Sequence, residues 1–256
     1  MIKLSANLGL LWNDQPLVDA VAHAKAAGFD AVEGHCPYAT DASDMKAALN
    51  EAQLPFLSLN TRVGDASKGE FGVCALPGRE SEARGYIDEA IDYAATSGCR
   101  NIHLVAGKTA GDASHKTFLY NLKYASEKAE VRGLGVFIEP KSNKDVPGYF
   151  LQSVEQASEL LKELARDNVS MMFDTYHVQL LQGDLWRTYL ANKEFVGHVQ
   201  FASNPDRNEP DLGEVALAWL LKCIDADGYN GFMGAEYKPL AGPSEVRMDW
   251  EPLLRS

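Results

Sequence analysis

Four times in the second half of the chain a short apolar run stops on a side chain that carries oxygen. The runs are Val136-Phe137-Ile138-Glu139-Pro140, Val169-Ser170-Met171-Met172-Phe173-Asp174, Phe195-Val196-Gly197-His198-Val199-Gln200 and Gly231-Phe232-Met233-Gly234-Ala235-Glu236. Runs of this length suit strands covered on both faces, and Pro140 cannot continue a central strand, so Glu139 stands at a strand's C-terminal end. The polar ends lie 35, 26 and 36 residues apart. Each gap leaves room for a helix that carries the chain back to the start of the next parallel strand. Four polar side chains are therefore expected at the same end of one sheet.

The same alternation holds from the start of the chain. Strands are predicted over roughly residues 2–7, 30–34, 55–60, 100–105, 134–139, 169–174, 195–200 and 231–236. Between them, Pro16 to Ala27, Ser43 to Ala52, Glu80 to Ser97, Ser114 to Arg132, Ser153 to Arg166 and Glu214 to Ala226 carry apolar residues at helical spacing. Gly28, Gly98 and Gly133 stand where a left-handed helix cap precedes a strand. Eight strands alternating with helices, and no G-x-G-x-x-G after the first, favour an α/β fold of the (β/α)8 type over an open doubly wound sheet. With 256 residues and 46% hydrophobic content, one domain covering residues 1–256 is expected. The longest irregular insert, Thr61 to Gly78, is either a lid or interface arm, or an ordered surface excursion without a catalytic part.

A formal net charge of −12 repels phosphate polymers and anionic membranes, so neither nucleic acid nor a membrane is an expected partner. No apolar run approaches membrane-spanning length, and Met1 to Ala6 enters a strand pattern with no secretory leader ahead of it. A cytoplasmic enzyme is the expectation. Cys36, Cys74, Cys99 and Cys223 have no C-x-x-C spacing and read as reduced thiols, two or three of them small buried hydrophobes. Trp186, Trp219 and Trp250 either pack helices onto the barrel or mark a homo-oligomer interface.

In a barrel of this kind the strand C-termini and the loops after them form the working face. The inventory there is Asn7 and Trp12, then Glu33, His35 and Tyr38, then Asn60 and Arg62, then His103 and Lys108. Strands five to eight add Glu139, Asp174 with His177, Gln200 with Arg207, and Glu236 with Lys238. Carboxylates crowded at one mouth repel unless a cation sits among them. Glu139, Asp174, Gln200 and Glu236 are hard oxygen donors, Gln200 through its amide carbonyl, which points to Mg2+ or Mn2+ ahead of zinc. A lone strand-end acid more often makes a salt bridge or caps a helix; four at successive strand ends change that balance. His198, two before Gln200, faces the same side one layer deeper.

The pieces Phe137-Ile138-Glu139-Pro140, Phe173-Asp174-Thr175-Tyr176-His177, Gly197-His198-Val199-Gln200 with Asn204-Pro205-Asp206-Arg207, and Glu236-Tyr237-Lys238-Pro239 resemble the hydroxypyruvate isomerase family. That family belongs to the xylose-isomerase-like and endonuclease-IV-like group of TIM barrels. The likeness runs over nearly the whole chain, from Leu4-Ser5-Ala6-Asn7-Leu8 through Leu76-Pro77-Gly78-Arg79-Glu80 and Val105-Ala106-Gly107-Lys108-Thr109. By resemblance, Glu139, Asp174, Gln200 and Glu236 match metal ligands, and Glu139 and Glu236 also match the proton-transferring pair. Ketose 3-epimerases look similar at the two glutamates and the aspartate but carry histidine where Gln200 stands. Endonuclease IV is similar in fold only, because its zinc cluster needs more strand-end histidines than a chain with six in all supplies.

The expected activity is isomerisation of hydroxypyruvate to 2-hydroxy-3-oxopropanoate, tartronate semialdehyde, with a small keto acid or sugar acid as substrate. Removing a proton beside a carbonyl and returning one next door needs two carboxyl groups, Glu139 and Glu236, and positive charge near the enediolate oxygens. For the substrate carboxylate, Arg207 is the first candidate and Lys108 the next. Alternatively, Arg207 pairs with Asp206, Glu209 or Glu214 to hold its own loop. His177 either hydrogen-bonds a substrate oxygen or a loop carbonyl; Asn7 and Asn60 are further substrate contacts. Competing readings are a 2-oxo-tetronate isomerase acting on a C4 sugar acid, a ketose 3-epimerase, and a non-catalytic protein that binds a metal and a sugar acid.

Overall fold

A computed structural model describes residues 2–255 of the chain. All eight expected strands are present: β1 (Lys3–Asn7), β2 (Ala31–Glu33), β3 (Ser58–Asn60), β4 (Asn101–His103), β5 (Gly135–Ile138), β6 (Val169–Asp174), β7 (Val196–Phe201) and β8 (Phe232–Ala235). Each pairs in parallel with its neighbours, and β1 lies between β2 and β8, so the first and last strands are adjacent. Closure between β2 and β3 rests on the pairing of Val32 with Phe56, backed by Val32 N–H to Pro55 C=O at 3.0 Å and Leu57 N–H to Val32 C=O at 2.8 Å. The result is the (β/α)8 TIM barrel expected from the alternation.

Helices α1 (Leu17–Ala26), α2 (Ala42–Ala52), α3 (Glu80–Ser97), α4 (Asp112–Val131), α5 (Val154–Leu164) and α8 (Leu217–Ala226) fall where the spacing predicts them. Their ends follow local chemistry. Asp41 caps α2 by accepting the Ser43 N–H at 2.8 Å, Ser153 caps α5 by accepting that of Gln156 at 3.0 Å, and Gly98 closes α3 at φ 82°, a conformation that costs a side chain free energy. Between β6 and β7 the chain makes two short helices, α6 (Thr175–Leu181) and α7 (Leu185–Asn192), and a further short one, α9 (Glu251–Arg255), lies near the C-terminus. Gly183 and Asp184 separate α6 from α7, both with positive φ.

The core forms between barrel and helices from Leu4, Val32, Leu59, Ile102, Ile138, Phe173, Val199 and Met233, all at most 1% exposed, with the helices' inward faces. Cys74 and Cys99 belong to it, and all four thiols are free. Trp250 is buried against Phe201 and Tyr237, whereas Trp219 is 57% exposed beside Trp186. Among the described residues no helix is long and apolar enough to cross a membrane.

The Thr61 to Gly78 insert is pinned to the barrel's upper rim. Its 3-10 turn, Ala66–Lys68, is followed by Glu70, which takes the Asp65 N–H at 2.7 Å and pairs with Arg79 at 2.5 Å. Gly72 bridges Ala106 so closely that a Cβ there would lie 2.4 Å from the Val105 carbonyl oxygen. Phe71 thereby packs edge-on to Tyr149, with the Lys141 ammonium 6.0 Å from its ring centre.

Candidate active site

The strand ends place Glu139 just after β5, Asp174 at the end of β6, Gln200 near the end of β7 and Glu236 just after β8, all at most 4% exposed. Asp174 and Gln200 face each other in the β6–β7 register. The two oxygens of Asp174 have separate duties. Oδ1 accepts the Tyr176 N–H at 2.9 Å and caps α6, while Oδ2 accepts from the Arg207 guanidinium at 3.2 Å. Helix capping and a place in the site are thus met by one carboxylate. Arg207 also donates to Glu236 Oε2 at 2.7 Å and stands 4.9 Å above the Tyr176 ring. Its partners are strand-end acids, and not Asp206, Glu209 or Glu214.

Glu236 has partners on both oxygens: besides the Arg207 contact, Oε1 accepts from Asn7 Nδ2 at 3.2 Å and lies 3.0 Å from His35 Nε2. Burial pushes this carboxyl up, but Arg207, the His35 bond and Lys141 together hold it well below the ordinary range. Glu139 is the opposite case. Its Oε2 accepts from the Lys141 ammonium, while Oε1 is buried with no hydrogen-bond partner. Burial raises its pKa, with Lys141 pulling down and Glu236 pushing up. Burial likewise carries Asp174 well above its usual range against the pull of Arg207. Two carboxyl groups whose proton affinities are driven apart are what paired acid and base chemistry uses.

His177 sits under this group, its Nε2 3.7 Å from both Glu139 Oε1 and Asp174 Oδ2. Burial, then Arg207 and Lys141, keep its ring neutral by lowering its pKa well below 6.5. The Ser142 backbone N–H points to Nδ1 at 3.3 Å. A backbone N–H can only donate, so Nδ1 accepts and Nε2 carries the ring proton. His177 thus presents a donor to the site.

Glu139, Asp174 and His177 bring ligand-capable atoms within 4.8 Å of one another, a buried cluster able to hold a metal ion. The donor chemistry suits a hard cation. Glu139 Oε1 and Gln200 Oε1 are buried acceptors without a hydrogen-bond partner, and unpartnered buried acceptors are uncommon unless a ligand or ion uses them. The protonated Nε2 of His177 makes the oxygen donors better ligands than the ring.

The other expected residues divide. Asn7 reaches Glu236, as above. Asn60 Oδ1 meets His103 Nδ1 at 3.0 Å, and His103 Nε2 lies 3.7 Å from Glu139 Oε2, so Asn60 stands one side chain behind the carboxylates. Lys108 lies apart from them: its ammonium donates to the Gly69 carbonyl at 2.7 Å on the surface, holding the insert down. Lys141, absent from the sequence inventory, supplies the cation beside Glu139. Its signal was its place two residues beyond Glu139 across Pro140, since an extended chain turns residues i and i+2 to the same side.

Comparison with known proteins gives a consistent picture. The family model for the xylose isomerase-like TIM barrel matches residues 21–251. A 2-oxo-tetronate isomerase from Cupriavidus necator is 38% identical over 95% of this chain and 95% of its own length. A hydroxypyruvate isomerase from Escherichia coli is 36% identical over 98% of each chain. A crystal structure described as AP endonuclease, family 2, from Brucella melitensis is 36% identical, superposes with a TM-score of 0.94, and is matched over 98% of this chain and 99% of that one.

Proposed function

Since the chain belongs to the xylose isomerase-like TIM barrel family, with isomerases among its near-full-length relatives, we propose that it isomerises hydroxypyruvate to tartronate semialdehyde at the Glu139–Glu236 pair. The observation that carries this reading is a buried mouth at which Glu139 and Glu236 each hold a cationic partner, Lys141 and Arg207, with His177 Nε2 3.7 Å from Glu139 Oε1.

The residues divide the work. One glutamate removes a proton from the carbon bearing the hydroxyl, the other returns one to the former carbonyl carbon, and the hydroxyl's own proton passes to the former carbonyl oxygen, so that no atom is gained or lost. Arg207 and Lys141 offset the negative charge of the carboxylates and orient the acid group of the substrate. His177 Nε2–H donates to a substrate oxygen as charge develops there. Glu139, Asp174, Gln200 and Glu236 would hold a divalent cation, Mg2+ or Mn2+ by donor type, which supplies positive charge beside the substrate's carbonyl and hydroxyl oxygens.

A second reading, the same chemistry on a C4 sugar acid, is supported by the 2-oxo-tetronate isomerases among the relatives, 38% identical over nearly the whole chain. An endonuclease reading is disfavoured by the net charge of −12 and by an acid-rich mouth.

The deciding experiment incubates the protein with Mn2+ and hydroxypyruvate in D2O and follows the carbons by NMR. Deuterium should enter at the carbons beside the carbonyl together with aldehyde product. Absence of both, for hydroxypyruvate and for 2-oxo-tetronate alike, would refute an isomerase. The ratio of kcat/KM for the two acids decides between the chain lengths.

A further inference from the structure

Glu33, at the end of β2, is a strand-end carboxylate that takes no direct part in the group around Glu139 and Glu236. It is 1% exposed, and a buried carboxylate is costly unless its oxygens are satisfied. Three side chains from two strands converge on it. Ser5 of β1 donates its hydroxyl to Oε1 at 2.5 Å, His198 of β7 brings Nε2 to 2.9 Å from the same oxygen, and Gln200 donates its side-chain N–H to Oε2 at 2.8 Å. The barrel is shaped to admit this contact: a Cβ at Gly234 of β8 would lie 2.2 Å from Glu33 Oε1.

An ionised carboxylate only accepts, so it tells the two ends of the Gln200 amide apart. The nitrogen must turn to Glu33, and the oxygen is left facing away, buried and without a partner. The reversed amide would set two acceptors against each other at hydrogen-bond distance. We propose that Glu33 is a positioning residue that fixes the Gln200 amide with its oxygen presented to a divalent cation at the site. The inference rests on the reading of Gln200 as a cation ligand and adds to it the side chain that sets the ligand's orientation. Partners behind a ligand commonly change metal affinity 10- to 100-fold when removed.

The test is Mn2+ binding by the full chain, measured by calorimetry after chelator treatment, for wild type, Glu33→Gln, Gln200→Ala and the double variant. A glutamine at 33 offers the Gln200 amide an oxygen or a nitrogen alike and no longer selects its orientation. Glu33→Gln should weaken Mn2+ about tenfold or more in the presence of Gln200, and less than twofold when Gln200 is already alanine. Equal losses in both backgrounds, or unchanged affinity in Glu33→Gln, would overturn the positioning role while leaving the cation reading standing. Unchanged affinity in Gln200→Ala, or no saturable binding by wild type, would overturn both. Should Glu33→Gln fail to fold by circular dichroism, Glu33→Asp keeps the charge, retracts it by one methylene and is expected to show the same dependence on Gln200.

Discussion

The Arg207 guanidinium reaches Glu236 Oε2 at 2.7 Å and, through the same nitrogen, Asp174 Oδ2 at 3.2 Å. One side chain thus bridges two strand-end acids, and their charge raises its own pKa despite burial.

Removing that cation leaves two buried carboxylates facing each other, so metal-free Arg207→Gln should lose about 3 kcal/mol of stability. Mn2+ should return more stability to the variant than to wild type, because a bound cation takes over the neutralising role; at a hundredfold excess over Kd a single site contributes about 2.7 kcal/mol. Thermal melts in chelator and in Mn2+ measure both. Equal Mn2+ shifts in the two proteins would separate Arg207 from the cation site.

Glu139→Gln and Glu236→Gln each keep shape while removing a carboxyl group proposed to carry a proton. Turnover should fall by about 10²- to 10⁴-fold in either, with near-native circular dichroism and loss of solvent deuterium incorporation. Either variant with near-native turnover would remove that glutamate from proton transfer.

Acid should destabilise the fold through His103. Burial first, and then Lys141, hold its pKa well below 6.5, so the folded ring stays neutral while the unfolded one takes a proton. The unfolded state therefore binds more protons below pH 6.5. Stability is full above that pH, falls as pH drops below it, and levels off only once the folded pKa is passed, with a slope of about 1.4 kcal/mol per pH unit for one ring. Urea unfolding at pH 7.5 and 5.5 should show His103→Gln losing about 1 kcal/mol less than wild type. Parallel losses would place the acid sensitivity elsewhere.

The barrel was legible because each strand is an apolar run that stops at a polar end, a pattern carried within a few residues. Helices α6 and α7 were not, since seven and eight residues give too few turns for a spacing to emerge, and α6 begins at the very residue that ends β6. The side-chain partners show the same boundary. Asp174, Glu236 and Glu139 could be picked out at strand ends, but local reasoning offered Arg207 the acids beside it in the chain, whereas its partners lie 33 and 29 positions away. Gln200 and Glu33 are 167 positions apart, a contact that only barrel closure creates. Lys108 was placed at the mouth by strand position alone; the inward or outward turn of a loop side chain is set by contacts such as its bond to Gly69.

Strand β1 pairs with β8, and across that seam Asn7 holds Glu236. During synthesis the earliest strand must therefore wait, one flank uncovered, until the last has left the ribosome. A nascent chain short of β8 has neither a closed ring nor Glu236, so ring closure and the full set of strand-end acids arrive together.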